Sequence, residues 1–400
     1  MSILPGRGSA ARPQLIRALN EQLLLDHIRS DGPCSRADLA RTSGLSKPTV
    51  SLALANVERA GLVRRAGRRT GAPGPAARLY EIRPDAGFVL GLDVGRRFLR
   101  GALADLAGTV RAKTSRRARA AGALGAVAEL VALADTLCES AGLSRTQVTQ
   151  VLIGSPGIYD PGSDTIALPG LLRGWARPAV LAQLRDAFGP GLMVENDVDA
   201  AALAERAHGH GRDVRNFAFV HVGTGIGMGL VLDGRLHRGA HGVAGEIAFL
   251  PFSDGHGASE NDARRRGGLE AAASAAAVVR AARRAGIRGP VSARRVFALA
   301  AAGDARASAV VAEEALLIAK AICAVVMVAD PELIVLGGGI GEAPGFAAAV
   351  TAQLRGLAPV MPEVRVSALG AEAVISGCLA AGTERAWRRL TAELPAAALA

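Results

Sequence analysis

The sequence predicts two unlike parts: a small, mainly helical head closed by a wing, and a larger α/β body of two related lobes. Three observations predict this. Residues 1–85 hold 14 Lys and Arg against 7 Asp and Glu, so +7 of the formal net charge of +11 lies there. Within that stretch, two short capped helices flank a glycine-containing turn. Beyond it, an apolar strand, a glycine turn and a returning strand occupy 88–105 and recur at 217–234. The 400 residues are 50% hydrophobic and 21% charged, which excludes a mainly disordered chain and leaves room for two or three domains. A basic end joined to a nearly balanced remainder points to a polyanion partner for the first part alone. A general bias towards Arg explains the residue type, since Lys occurs three times, but not its concentration at one end.

The head reads in chain order. Leu15, Ile16, Leu19, Leu23, Leu24, His27 and Ile28 recur with a helical period over 13–30, and Asp31-Gly32-Pro33 ends that helix. Ser35 and Asp38 form a capping box for a second helix, 36–42, which ends near Gly44. Ser46 is a good N-cap for a third, with Pro48 in the first turn, where a missing N–H is not needed. That helix runs to about Ala60 and stops at Gly61. The pair makes a helix-turn-helix, whose second helix enters the major groove by its N-terminal residues. Ser46, Lys47, Thr49, Val50 and Ser51 offer hydroxyls, a cation and a small apolar group to base edges, a thymine methyl and phosphates. Leu54 and Val57 point the other way, towards Leu39 and Leu23. Residues 62–66 and 77–82 read as strands around a basic Gly/Pro loop, a wing with Arg68 and Arg69 at its tip. Arg36, opening the second helix, completes the candidate DNA-binding set. The alternative is a capped helical hairpin with a solvated charged loop; agreement of caps, turn, groove chemistry and wing favours double-stranded DNA.

Pro84 to Gly87 is the expected boundary. Phe88–Gly95 is a buried strand that turns through Arg96-Arg97 into Phe98–Asp105, with a third strand from Thr109. The stretch 217–234 repeats the plan, and Leu333–Leu336 leads into a third glycine loop, 337–341. Two such hairpins suggest a duplicated α/β fold with a cleft between lobes. Glycine turns between strands let the backbone approach a phosphate, although tight turns need glycine for their own sake. Cys34, Cys138, Cys323 and Cys378 are far apart and form neither a zinc motif nor a disulfide framework. The N-terminus lacks a signal-peptide core, and the longest apolar run, 321–329, is too short to cross a bilayer. The expectation is a cytoplasmic protein, nucleoid-associated when bound to DNA, with no membrane partner.

Several motifs then occur in one order: Leu45 to Ser51, Gly91-Leu92-Asp93-Val94-Gly95, Ile153 to Gly157, Glu195-Asn196-Asp197 to Ala202, Gly223 to Gly227, Gly239 to Ile247, and Asp330 to Gly339. Together they resemble the ROK (repressor, open reading frame, kinase) family, in its winged-helix repressor branch, over residues 13–388. The resemblance implies an actin-like, sugar-kinase/Hsp70 body. It divides the chain into the head at 1–85, a first lobe at 86–195 with a C-terminal helix near 371–390, and a second lobe at 196–370. It implies that Asp197 corresponds to the base that takes a proton from a sugar hydroxyl in family kinases, and that Asn196, Glu246 and Glu270 contact ring hydroxyls. Nucleotide contacts would fall on Asp93, Gly95, Gly223, Thr224, Gly225, Gly338 and Gly339. Blander readings exist: Asn196-Asp197 as a helix N-cap pair, Glu246 as a solvated loop acid, and Glu270 as a first-turn helix acid.

The departures weigh more than the matches. The family's kinases continue Asp-x-Gly with Gly-Thr; here Arg96 and Arg97 follow Gly95, which restricts backbone approach to phosphate and removes a hydroxyl, while a guanidinium still attracts phosphate. The family's zinc ligands, one His and three Cys, fall here on Phe249, Asn261, Ala263 and Gly268, and His241 and His256 are too few to replace them. The loss of the His at Phe249 also removes a sugar contact, and Pro169-Gly170-Leu171-Leu172-Arg173 lacks the family's Asn before Gly174-Trp175. The expected function is therefore a transcriptional regulator, a repressor in kind, binding operator DNA and sensing a sugar or sugar derivative as a homodimer or homotetramer. No metal or cofactor is expected. The alternatives are an ATP-dependent sugar kinase with an attached DNA-binding domain, and a DNA-binding protein whose body serves only for dimerisation.

Overall fold

The computed structural model describes residues 11–69, 76–95, 97–120, 122–160, 162–167, 174–252, 260–392 and 394. The wing tip at 70–75, Arg96, Pro169 to Arg173 and His256 lie outside the described residues.

The head contains α1 (Ala11–Asp31), β1 (Cys34–Ser35), α2 (Arg36–Ser43), α3 (Lys47–Arg59), β2 (Val63–Arg69) and β3 (Ala77–Ile82). Its boundaries are set by local chemistry. The Ser35 hydroxyl accepts from the Asp38 N–H and the Asp38 carboxylate accepts from the Ser35 N–H, closing the capping box of α2. Gly44 ends α2 at φ 70°, a conformation costly for any residue with a Cβ. The Ser46 hydroxyl accepts from the Thr49 N–H at the start of α3, with Pro48 in the first turn. The three strands pair antiparallel in the order β1-β3-β2. Leu24, Leu25, Ile28, Leu39, Val50, Leu54, Val57 and Tyr80 form the core.

Three expectations for the head need correction. Leu15, Ile16 and Leu19 lie more than half exposed and Leu23 partly so; of the expected stripe α1 buries Leu24 and Ile28, together with Leu25. β2 continues through Arg69, with a bulge between Arg65 and Gly67, so Arg68 and Arg69 belong to the strand and not to the loop tip. Val50 is fully buried.

The body begins with β4 (Phe88–Val94), β5 (Phe98–Asp105) and β6 (Val110–Arg117), then α4 (Ala123–Ser140), β7 (Val148–Ser155), a small hairpin β8 (Ile158–Asp160) and β9 (Thr165–Ala167), α5 (Pro178–Phe188) and β10 (Leu192–Asn196). The sheet order is β10-β7-β4-β5-β6, parallel across the first three strands and antiparallel across the last three. Helix α6 (Asp197–His208) leaves the end of β10 and leads to β11 (Phe217–Val222), β12 (Ile226–Leu232) and β13 (Arg235–Leu236). Helices α7 (Glu260–Arg266), α8 (Gly268–Ala273), α9 (Ala275–Arg284), α10 (Ala293–Ala301) and α11 (Ala305–Ala329) follow. β14 (Leu333–Gly337), α12 (Gly338–Gly341), α13 (Phe346–Leu354) and β15 (Glu363–Val366) complete a second sheet, ordered β13-β12-β11-β14-β15.

Helix α14 (Ala373–Ala392) returns to the first sheet and packs on β4 and β7, while α6 packs on β11 and β12. The two helices lie against each other between the sheets. A Cβ at Gly377 would collide with the Ala200 carbonyl, so this glycine sets how closely α14 and α6 approach. Ile375, Leu379, Trp387 and Leu394 share one apolar cluster with Leu24 and Leu25 of the head. No helix among the described residues is long and apolar enough to cross a membrane.

Candidate DNA-binding face and interlobe cleft

Helix α3 buries Val50, Ala53, Leu54 and Val57 and turns Pro48, Ser51, Leu52, Ala55 and Arg59 outwards, as a 3.6-residue period requires. Ser46 and Lys47 are exposed at its N-terminus; Thr49 is half-buried, its hydroxyl 2.8 Å from that of Ser46. Val50 therefore offers nothing to a groove: its methyls lie in the head's core. Leu52, 60% exposed, is the apolar group on the open stripe. The spacing of Val50, Ala53, Leu54 and Val57 was the signal that could have assigned both residues.

On the wing, Arg64 pairs with Glu81 and Arg65 with Glu58, each at 2.8 Å, and Arg69 with Asp38 at 2.9 Å. Arg69 thus ties β2 to α2. Arg68 faces Arg78 directly across the strand pair, and neither has a carboxylate partner among the described residues. Like charges placed opposite each other destabilise a ladder unless an anion lies against them. The Arg36 guanidinium sits 5.6 Å from the centroid of the Tyr80 ring. Arg78 was not read from the sequence, because only strand register reveals its partner.

In the body, the end of β10 delivers Asn196 and Asp197 to the start of α6. Asn196 Oδ1 accepts from the Val198 and Asp199 N–H groups at 2.8 and 3.1 Å, and its Nδ2 donates to the Gly157 carbonyl at 3.0 Å. The capping reading of Asn196 holds, leaving one amide hydrogen for a ligand. Burial, and then the charge of nearby Asp93, push the Asp197 carboxyl up to about 7. Burial and the Glu270 charge likewise raise Glu246. Glu270 is engaged on both oxygens: Oε2 accepts from the Ile226 N–H at 3.0 Å and Oε1 from Arg266 Nε at 2.9 Å. It braces the 223–226 turn.

A cluster beside these residues, the buried Glu195 and Asp199 with the exposed Arg238, was not anticipated. Arg238 grips Glu195 with two nitrogens, and Asp199 next to them is pushed up to about 8, first by burial and then by the Glu195 charge. Arg238 lies 43 residues from Glu195, and no local pattern links them.

Two groups of the glycine loops are already taken. Asp93 Oδ2 accepts from Arg100 Nη1 at 2.8 Å, and the Gly338 N–H donates to Glu342 Oε1 at 3.1 Å. Thr224 is exposed, and the space beside Gly339 is open. The family's kinases imply a magnesium nucleotide here. A carboxylate paired with an internal guanidinium, with Arg96 and Arg97 following Gly95, does not fit that group. Zinc fares no better: Phe249, 43% exposed, Asn261, Ala263 and Gly268 present a phenyl ring, an amide, a methyl and no side chain, none of them a zinc donor.

The fold and this arrangement define a class: a winged helix-turn-helix head carried on a two-lobed body of the sugar-kinase type. Residues 19–64 match the winged helix-turn-helix DNA-binding family and residues 89–381 match the ROK family. The chain belongs to the ROK family. The crystal structure of a ROK family transcriptional regulator, a homologue of the E. coli MLC protein, superposes with a TM-score of 0.78 and 24% identity over 95% of this chain and 98% of that one, a likeness of fold. The ROK hexokinase of Thermus thermophilus superposes with a TM-score of 0.62 and 31% identity over 74% of this chain and 97% of its own. The xylose repressor of Bacillus subtilis (strain 168) is 25% identical over 59% of this chain and 61% of the repressor. The N-acetylmannosamine kinase of Citrobacter koseri is 36% identical over 52% of this chain and 69% of the kinase. The chain thus spans about three fifths of the length of the xylose repressor it matches.

Proposed function

We propose that the chain is a DNA-binding transcriptional regulator of the repressor kind, with a body that senses a sugar or sugar derivative. The observation that carries this reading is the open α3 stripe, headed by Ser46 and Lys47, together with Arg68 and Arg78 of the wing, which have no carboxylate partner among the described residues, on a head whose core is continuous with α14 of a kinase-like body. Ser51 and Leu52 read bases; Lys47, Arg68 and Arg78 take phosphates.

In the cleft, Asp197, Glu246 and the remaining amide hydrogen of Asn196 bind sugar hydroxyls. Carboxylates suit this task, since each hydroxyl can donate to them. A ligand that binds the lobe-closed state more tightly than the lobe-open one shifts the balance between them, and only that difference produces a signal. Two heads in a homodimer then change their spacing on two half-sites. The body works without zinc or magnesium nucleotide, for the reasons of fit given above.

Selection of bound genomic fragments, followed by retardation of the selected duplex with and without sugars, tests the reading. Saturable retardation that a sugar relieves is the expected result; no retardation of any duplex at low salt overturns it. The kinase reading retains a carboxyl at Asp197 that titrates near neutrality, suited to a general base, but meets the Arg100 guanidinium on Asp93. Phosphorylation of a hexose, abolished by Asp197→Asn, would restore it.

A further inference from the structure

The turn after β4 has lost the sequence of a phosphate loop, yet guanidinium groups lie on the strands beside it. Asp93 on β4 stands in register with Arg100 on β5, and Phe98 on β5 with Arg117 on β6. Side chains alternate along a strand, so Asp93, Phe98, Arg100 and Arg117 all project from one face of the sheet. Gly91 shares that face, and its backbone rests on Cys378 and Leu379 of α14, so the face looks into the space between the two sheets.

The Arg100 Cζ lies 5.6 Å and the Arg117 Cζ 6.0 Å from the Phe98 ring centroid, and the ion pair with Asp93 holds the first of these in place. Arg97, exposed, is the residue before Phe98. Arg97 and Arg117 have no carboxylate partner among the described residues. Two guanidinium groups therefore flank one aromatic ring, the exposed Arg97 adds a third cation in the adjoining turn, and Asp93 is the single carboxylate paired with any of the three among the described residues. A ring face accounts for only about 0.5–1 kcal/mol per cation at such sites, so cations left this close together are best stabilised by an anion. The guanidinium fork matches a phosphate or a carboxylate in two parallel hydrogen bonds. The half-buried Asp197 carboxyl, close enough to Asp93 to feel its charge, lies beside this lip.

We propose that Arg100 and Arg117, arranged around Phe98, form with Arg97 of the adjoining turn an anion subsite at the lip of the cleft, and that the effector is a sugar bearing a phosphate or carboxylate. The assignment rests on the sensor reading above and narrows it. Hydroxyls meet Asn196, Asp197 and Glu246, and the anionic group meets the guanidinium groups, with Arg100 shared between Asp93 and the ligand. A loop that no longer handles nucleotide instead recognises the charge on the ligand.

Calorimetry on the full-length protein at low salt tests this with matched triads: a neutral hexose, its phosphate ester and the corresponding uronic acid, with inorganic phosphate as the fourth probe. The charged member of a triad is expected to bind about tenfold more tightly than the neutral one, a difference typical of one charge-assisted contact. Arg97→Ala with Arg117→Ala, both at exposed positions, should erase that preference while leaving the melting temperature unchanged. The phosphate and uronate arms identify which anion the fork prefers. Equal binding of neutral and charged members, or a preference unaltered by the double substitution, overturns the subsite and leaves the sensor intact. A panel in which no sugar binds overturns both, with DNA retardation as the separate measure of the head.

Discussion

Asn56 donates from Nδ2 to Glu21 Oε1 at 2.7 Å, and both side chains are buried where α3 crosses α1. Arg17 reaches the same oxygen at 3.1 Å, while Glu21 Oε2 has no partner among the described residues. This contact fixes the angle at which α3 is presented. Asn56→Ala removes a donor from a buried carboxylate and should cost about 2 kcal/mol. Asn56→Asp, which sets a second negative charge against Glu21, should cost more. Urea unfolding of the full chain measures both; equal stabilities for wild type and Asn56→Asp would show that the contact does not hold the head.

Val50 and Leu52 have exchanged the roles that position alone suggests. Val50→Ala should lower stability by about 2 kcal/mol through a core cavity while leaving the preferred DNA sequence unchanged. Leu52→Ser should leave stability within about 0.5 kcal/mol and alter sequence preference. Melting curves and binding-site selection on the two variants separate the effects. A changed operator preference in Val50→Ala would contradict the burial.

Arg68→Ala and Arg78→Ala should each weaken retardation of any duplex and reduce the slope of log K against log salt by about one. Lys47→Ala should behave likewise. Arg69→Ala differs, because its guanidinium is committed to Asp38; its larger effect should be on the stability of the wing. Salt titrations of the four variants check the ordering, and an Arg69 effect on the slope as large as that of Arg68 would reverse it.

Asp199 gives a pH test with a defined sign. Its folded-state carboxyl is raised to about 8, above the unfolded value near 3.8, so the folded state holds a proton that the unfolded state has lost between those values. Stability should therefore fall as pH rises from about 4 to 8 and level off beyond. Asp199→Asn removes the titration, and should raise the melting temperature by about 5 °C at pH 8 and by much less at pH 5. An equal shift at both pH values would show that the carboxyl is not held protonated.

The sequence made the local features legible. Ser35 with Asp38, and Ser46 with Pro48, announced two helix starts because a cap and its partner lie within one turn. The hairpin 88–105 was readable because an apolar run, a glycine and a second run are contiguous. What escaped depended on register or on distant packing. Arg100 becomes the partner of Asp93 only when β4 and β5 align, and Arg238 meets Glu195 only after α6 and β12 are in place. The N-terminal apolar stripe of α1 was misjudged for a related reason. Leucines occur on more than one face of that helix, and tertiary packing chose Leu24 and Leu25 over Leu19 and Leu23.

Cys378 of α14 lies against the strand that carries Asp93, and Trp387, nine residues on, lies in the apolar cluster that holds Leu24 and Leu25. At 1.5 Å per residue the two points are about 13 Å apart on one rigid rod. Severing the reader from the sensor would strip the reader of part of its own interior, so an isolated N-terminal fragment should be far less stable than the intact chain. The fold of the head is thus underwritten by the last helix of the body, and any displacement of α14 is carried directly into the head.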